Sequence, residues 1–433
     1  MAMSGRGLRR HESRVSEWGE RARESFLLVP LSGMAGGIAL AFATAAVDAD
    51  LSARPWVRGD SALQAVAEPS KAVIAAVGPA MLTFLGVVFS ITLVALQMAA
   101  GQFSPRITRV FLRSTVTKAT LAVFIGTFVY TLEVQYIGHA GSTQDAAYVP
   151  VVSGVTTMSL VSASVVMFVI YVNHTVHLMR VSDLIDRVTA ESLRGIHALH
   201  RPAPGPPPPA DAPGRTVRYT GRPGVLRGIS HARLVRLAAR QDAVVTFLPR
   251  TGDFLAPGAP LCRIQSPTPF SASAVQRCLE VGAERSMRQD VAFGLRQLAD
   301  IAVRALAPGV NDATTAVQAL DRIHVLLDAL AHAPLQTLHY ADSAGTVRVV
   351  VPLPDWDAVL GLALTEILLA APGEPQVTRR MAAALNDLAA HAPAERRPAV
   401  EWFQATLRTS VTQAFPDPDL RAFALTPDRQ GIG

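Results

Sequence analysis

Seven charged or amide side chains crowd one stretch of the C-terminal half: Arg285, Asp290, Arg296, Asp300, Arg304, Asn311 and Asp312. Guanidinium forks bind carboxylates and phosphates, and carboxylates accept or carry protons. On one reading these residues line a polar site or a subunit interface. On another they are structural. Arg296, Asp300 and Arg304 fall at i, i+4 and i+8, an ion-pair row on a helix surface. Asp312 follows the helix stop Pro308-Gly309 and can cap the next helix. The apolar stripes Val291, Leu295, Leu298, Ala302, Ala305 and Val317, Leu320, Ile323, Leu327, Leu330 predict those two helices, with His324 beside the second stripe. A second set, Thr83, Ser90, Thr92 and Gln97, lies inside a long apolar run. Hydroxyls and amides in such a run either line a pore or pack helix against helix. Both readings stand.

Several chemistries are excluded by residue type. The only lysines are Lys71 and Lys118, so the C-terminal half has no P-loop lysine, no Schiff-base lysine and none to carry biotin or lipoate. Cys262 and Cys278 are the only cysteines, and they fit packing better than a disulfide framework or a zinc site. His174, His177, His197 and His200 pair at a spacing of three but have no carboxylate or cysteine to complete a ligand set. No HExxH, GxSxG or Gly-rich phosphate loop occurs. The chain is therefore expected to be no enzyme and to hold no cofactor or metal. Net charge is +6, but the bases are scattered without an aromatic-basic stripe, so a nucleic-acid partner is not expected.

The elements that must position these residues begin in the bilayer. Half of the 433 residues are hydrophobic, and the apolar ones concentrate in the first 175 or so. Runs at 26–47, 72–100, 119–136 and 149–172 are long enough to cross about 30 Å of hydrocarbon, and only Glu133 interrupts them. The first run is long, further spans follow, and no clear A-x-A site precedes a soluble domain, so a cleaved signal peptide is not expected. Arg6, Arg9, Arg10, Arg14, Arg21 and Arg23 precede span one. Arg106, Arg109, Arg113 and Lys118 join spans two and three without an acid. Both termini are thus expected in the cytoplasm. Span two is too long for the hydrocarbon and has a natural kink at Gly78-Pro79. Gly33 and Gly37 form a GxxxG in span one, a signal of close helix packing. No ionisable residue lies at the middle of a span, which argues against a proton-driven carrier but not against a channel.

The expected domains follow. Residues 1–25 are a cytoplasmic N-terminal segment, 26–173 a four-helix transmembrane domain, 174–200 a membrane-exit helix and 201–214 a Pro-rich linker, semi-rigid around Pro206 to Pro209. Residues 215–270 read as a small β-rich module. Its run from Gly252 to Leu261 is similar to the hairpin of biotinyl and lipoyl barrel-sandwich domains, without their lysine. Residues 271–433 read as a helical α+β domain, with one strand over 346–352 and Ala- and Leu-rich helices after it.

Two motifs carry a wider resemblance. The stretch Phe89-Ser90-Ile91-Thr92-Leu93-Val94-Ala95-Leu96-Gln97, continued by Gln102-Phe103-Ser104-Pro105-Arg106, resembles the bacterial membrane-protein family called domain of unknown function 2254. So does Gly294-Leu295-Arg296-Gln297-Leu298 with Pro308-Gly309-Val310-Asn311-Asp312. The resemblance covers nearly the whole chain and implies a multi-pass protein of a bacterial plasma membrane. It implies no catalytic residue. The expected function is a homo-oligomeric channel or pore with a cytoplasmic regulatory or assembly domain, since four helices are few for a monomeric carrier. The alternative is a membrane-anchored sensor or scaffold whose cytoplasmic domain binds a protein or small ligand. Under either reading the lipid bilayer is a partner.

Overall fold

A computed structural model describes residues 27–54, 61–102, 114–141, 150–178, 180–199, 214–335 and 337–430. The N-terminal segment 1–25 and the Pro-rich linker expected from Arg201 on lie outside the described residues, as do Arg106, Arg109 and Arg113. The chain divides into two compact units, Met1–Arg180 and Val181–Gly433.

Among its described residues the first unit has four helices: α1 (Leu28–Ala53), α2 (Ser61–Gln102), α3 (Thr115–Gly141) and α4 (Val151–Leu178). All four are long and apolar enough to cross a membrane. Apolar burial cannot drive helices together in lipid, so they associate where small residues let backbones approach. Gly33 and Gly37 of α1 meet Ala122 and Gly126 of α3 at such a point. A Cβ on either glycine would clash with a carbonyl oxygen of α3, and one on Gly126 would come within 2.8 Å of the Gly33 carbonyl oxygen. α4 in turn approaches α2. There a Cβ on Gly154 would lie 2.7 Å from Ser70 Oγ. Span two is longer than its apolar run suggests. It continues as one helix through Pro69 and Pro79, about 63 Å at 1.5 Å per residue. In the turn that Pro79 disturbs, Gln135 Nε2 of α3 donates to the Ile74 carbonyl at 2.9 Å.

The second unit begins with α5 (Val181–Leu199). The expected membrane-exit helix over 174–200 is therefore two helices: His174 ends up on α4, whereas α5 belongs to the second unit. The buried residues of α5 are Ile185, Val188, Ser192, Ile196 and Leu199 among others, a stripe at helical spacing. It packs on α8 (Phe293–Ala305) and α9 (Ala313–Ala331). Gly294 permits this, because a Cβ there would overlap Ser192 Oγ, and Arg322 of α9 pairs with Asp186 at 2.9 Å.

Strands β1 (Arg215–Arg218), β5 (Pro260–Gln265), β3 (Val244–Phe247), β8 (Val347–Pro352) and β7 (Thr337–Ala341) form one sheet in that order. Strand β2 (Gly224–Ile229) lies between β4 (Phe254–Leu255) and β6 (Leu279–Gly282) in a second. The two sheets share a core that includes Leu226, Leu255, Val245, Phe247, Cys262, Val349 and Val351. The barrel-sandwich-like module expected over 215–270 is not a closed barrel. β3 pairs antiparallel with the nearby β5 on one side, and on the other it pairs in parallel with β8, Val245 opposite Val349. The β-branched run of β8, with Val347, Val349, Val350 and Val351 buried, makes it a strand fit for a sheet interior. Parallel pairing needs a long crossover, and α8 and α9 lie in it. Helix α6 (His231–Ala239) covers β7 and β8, α7 (Ala272–Gln276) is one short turn, and α10 (Trp356–Ala370), α11 (Pro375–His391), α12 (Arg397–Ala414) and α13 (Pro418–Leu425) complete the helical part.

Gly36 has nothing within 4 Å of a Cβ, whereas a Cβ on Gly37 clashes with α3 backbone. Gly37→Leu should lower stability by about 2 kcal/mol or more through overpacking, and Gly36→Leu by less than about 0.5 kcal/mol. Denaturant titration of the purified protein in detergent, followed by α-helical circular dichroism, measures the difference.

Candidate functional site

Helical geometry divides the four polar residues of span two. Thr83, Ser90 and Gln97 recur every seven residues, so they share one face of α2, and all three are exposed on the unit's surface. Ala72, Ala76, Pro79 and Gly86 are exposed on the same side, giving a stripe of small and polar residues. Thr92 lies nine residues after Thr83, half a turn round the helix, and faces inward. Its hydroxyl is 2.6 Å from that of Tyr171 on α4, and the two reach the Val88 carbonyl at 2.7 and 3.1 Å. The structure thus keeps three of these residues together and takes the fourth into the packing between α2 and α4.

The richer polar feature is one the sequence reading did not single out. Thr120, Thr127 and Thr131 of α3 are fully buried, as are Ser153, Thr157 and Ser164 of α4. Their hydroxyls spend their protons on carbonyls of their own helix where those bonds are resolved, such as Thr120 to Val116 and Thr157 to Ser153, both at 2.8 Å. That leaves lone pairs for neighbours. Thr127 and Ser164 meet at 3.3 Å, and Tyr130 bridges Thr44 of α1 and the Ser153 carbonyl. A carboxylate closes one end. Asp48 of α1, fully buried, accepts the N–H groups of Val152 and Ser153 at 2.8 and 2.9 Å. It caps the start of α4, where the helix dipole favours a negative charge. At the other end Ser114 caps α3 through Thr117 N–H and meets His174 Nε2 at 3.0 Å, with Lys118 buried close by in sequence. Phe124, Tyr130 and Tyr171 are buried to 1% exposure or less and fill the interior. A signal was present in the sequence. Residues 120, 127 and 131 and residues 153, 157 and 164 each keep a helical period, which hydropathy windows average away.

In the second unit the seven polar residues separate into three places. Arg285 and Asp290 form a bidentate pair, Nε to Oδ2 at 2.7 Å and Nη2 to Oδ1 at 3.0 Å, with the carboxylate side chain only 4% exposed. Burial pushes the Asp290 carboxyl up, against the pull of Arg285. Arg285 also lies over the Phe293 ring, 5.1 Å from its centroid. Gly252, at φ +100°, packs so close that a Cβ would clash with Asp290 Oδ2. Its neighbour Thr251 donates to the Gln289 carbonyl at 3.0 Å, and the Gln289 amide pairs with both backbone groups of Ile229. Segment 285–290 therefore ties β2 and the turn before β4 to the start of α8. Asp290 precedes that helix instead of lying on it.

The predicted ion-pair row becomes a hub on Arg296. It meets Asp300 at 2.7 Å and Glu366 of α10 at 2.9 Å, and it holds the Glu366 carboxyl below its usual range. Arg304 is exposed one turn further on. Asn311 is exposed, with a left-handed backbone at φ +49°. Asp312 caps α9 as its position suggested, accepting Thr315 N–H at 3.0 Å and meeting the Thr315 hydroxyl at 2.6 Å. These residues join elements, and each carboxylate among Asp290, Asp300 and Asp312 has its partner within the unit.

The family model described as "Predicted membrane protein (DUF2254)" matches residues 23–387. Uncharacterized proteins of Mycobacterium bovis and Mycobacterium tuberculosis are each 30% identical over 373 residues, which cover 82% of this chain and 71% of theirs. No solved structure matches the chain.

Removing one partner of a buried, hydrogen-bonded ion pair leaves the other charge stranded. Asp290→Ala should cost about 3–5 kcal/mol in urea unfolding, whereas Asp300→Ala, in a pair nearer solvent, should cost about 1 kcal/mol or less.

Proposed function

The chain belongs to the DUF2254 family of predicted membrane proteins, and we propose that it forms a homo-oligomeric channel of the bacterial plasma membrane. In this reading several copies enclose the pore, and the second unit lies in the cytoplasm, where it assembles or gates them. The outward face of α2 carries the proposal. Thr83, Ser90 and Gln97 lie on a side of the unit that no other described helix covers. The stripe from Ala72 to Gln97 rises about 37 Å, enough to line the full hydrocarbon thickness of about 30 Å. A path through one copy has no comparable support, because aromatic rings fill the bundle interior. The acid-free basic segment after α2 supports a cytoplasmic location for that end.

Reconstitution in planar bilayers tests this reading. Cys262 and Cys278 are buried, so introduced cysteines can be read individually. With Thr83→Cys or Ser90→Cys, a charged methanethiosulfonate reagent should block the current. With Leu82→Cys or Phe89→Cys, whose side chains point well away from that stripe, it should not. Absence of conductance under voltage, tension and pH change would contradict the proposal.

A further inference from the structure

The second unit leaves a groove of about 970 Å³ between α6 and the strand β7. One wall is a single helix face: His231, Ala232, Val235, Arg236, Ala239 and Arg240. Opposite stands β7, and the sheet order makes it an edge strand. Every second residue of an edge strand turns its N–H and C=O away from the sheet, ready to pair with another chain. The edge is broken only near its end, where the register against β8 shifts between Tyr340 and Ala341. β7 has neither proline nor lysine within Thr337–Ala341, and α6 packs over the sheet's face, leaving the groove beside the edge.

The lining specifies what would fit. Ala232, Val235, Ala239 and Ala341 give the groove an apolar floor beside the two arginines. His231 stacks on Tyr340, ring centroids 3.9 Å apart. Burial, and next the charge of Arg288, hold the His231 pKa down to about 4, so it is neutral at pH 7. Arg236 and Arg240 are exposed on the groove wall, and neither is in an ion pair among the described residues. The one carboxylate of the lining, Asp342, is taken by Arg348 at 2.7 Å. The groove is therefore cationic. His339 adds a buried Nδ1 with no hydrogen-bond partner among the described residues. Helix α6 is nine residues long, about 13 Å, which matches roughly four residues of extended chain.

We propose that this groove binds an acidic peptide segment of a partner protein as an added strand on β7, its acidic side chains facing Arg236 and Arg240 of α6 and its alternate, small apolar ones turned to the other face of the sheet. The binding does not depend on conduction by the membrane unit.

The test uses the full chain in detergent and a dye-labelled peptide of alternating glutamate and valine, read by fluorescence anisotropy. Saturable binding is expected. N-methylation of one alternate set of peptide amides should weaken it about tenfold or more, and of the other set hardly at all, because only one set faces β7. The exposed double variant Arg236→Glu, Arg240→Glu should weaken it by a similar factor with its thermal unfolding unchanged. Equal binding of both methylated peptides, equal binding of a lysine-valine peptide, displacement of the peptide by ATP, or no saturable binding would each overturn the proposal.

Discussion

Lipid tails are as apolar as leucine, so nothing in the bilayer rewards the first unit for burying leucines between its helices. Its contacts have to come from close backbone approach and from hydroxyls. Gly33 and Gly37 bring α1 onto the backbone of α3. Buried hydroxyls of α3 and α4 fill the interior, and Thr120, Thr127 and Thr157 give their protons to carbonyls of their own helix. Asp48 belongs to the same solution. A carboxylate this deep is tolerated because two N–H groups and a helix N-terminus receive it. The consequence reaches α2. With the interior occupied by other hydroxyls and by Tyr130 and Tyr171, the polar residues of α2 divide, Thr92 inward and Thr83, Ser90 and Gln97 outward.

The second unit solves a different problem with water available. Its sheet is assembled from distant pieces of chain, because β3 takes β8 as its parallel neighbour across the α8–α9 hairpin. Such an assembly needs ties between the pieces. Arg285, Gln289 and Asp290 tie β2 and the Thr251-Gly252 turn to α8, and Arg296 ties α8 to α10. These contacts give the Arg- and Asp-rich stretch a structural role. The surface proposed for recognition lies elsewhere, at the edge of β7.

Legibility in the sequence followed the range of the interaction. The four spans, the GxxxG contact and the Asp312 cap are local patterns, and each is present where its residues suggested. The α8 and α9 stripes are local too, although Val291 precedes α8 instead of lying on it. Strand β7 was hidden because Thr337, His339 and Tyr340 make a weak apolar pattern at a sheet edge. The hairpin around Gly252 looked like part of a small barrel because its own pairing is local, whereas the partner that opens it, β8, lies about a hundred residues away. Arg296 looked like one rung of a surface ladder, since Glu366 is visible only once α10 is packed. The inward hydroxyls of α3 and α4 have the right period but resemble ordinary span residues in composition.

The central claim is that the outward face of α2 meets other copies of the chain around a common axis. Spin labels placed singly at Ser90 and at Val166, an exposed residue of α4, test it by electron paramagnetic resonance distances between copies in lipid nanodiscs. The account predicts a defined oligomer with a shorter inter-copy distance at position 90 than at position 166. A monomer, or an oligomer in which position 90 lies farther from its counterparts than position 166 does, would contradict it.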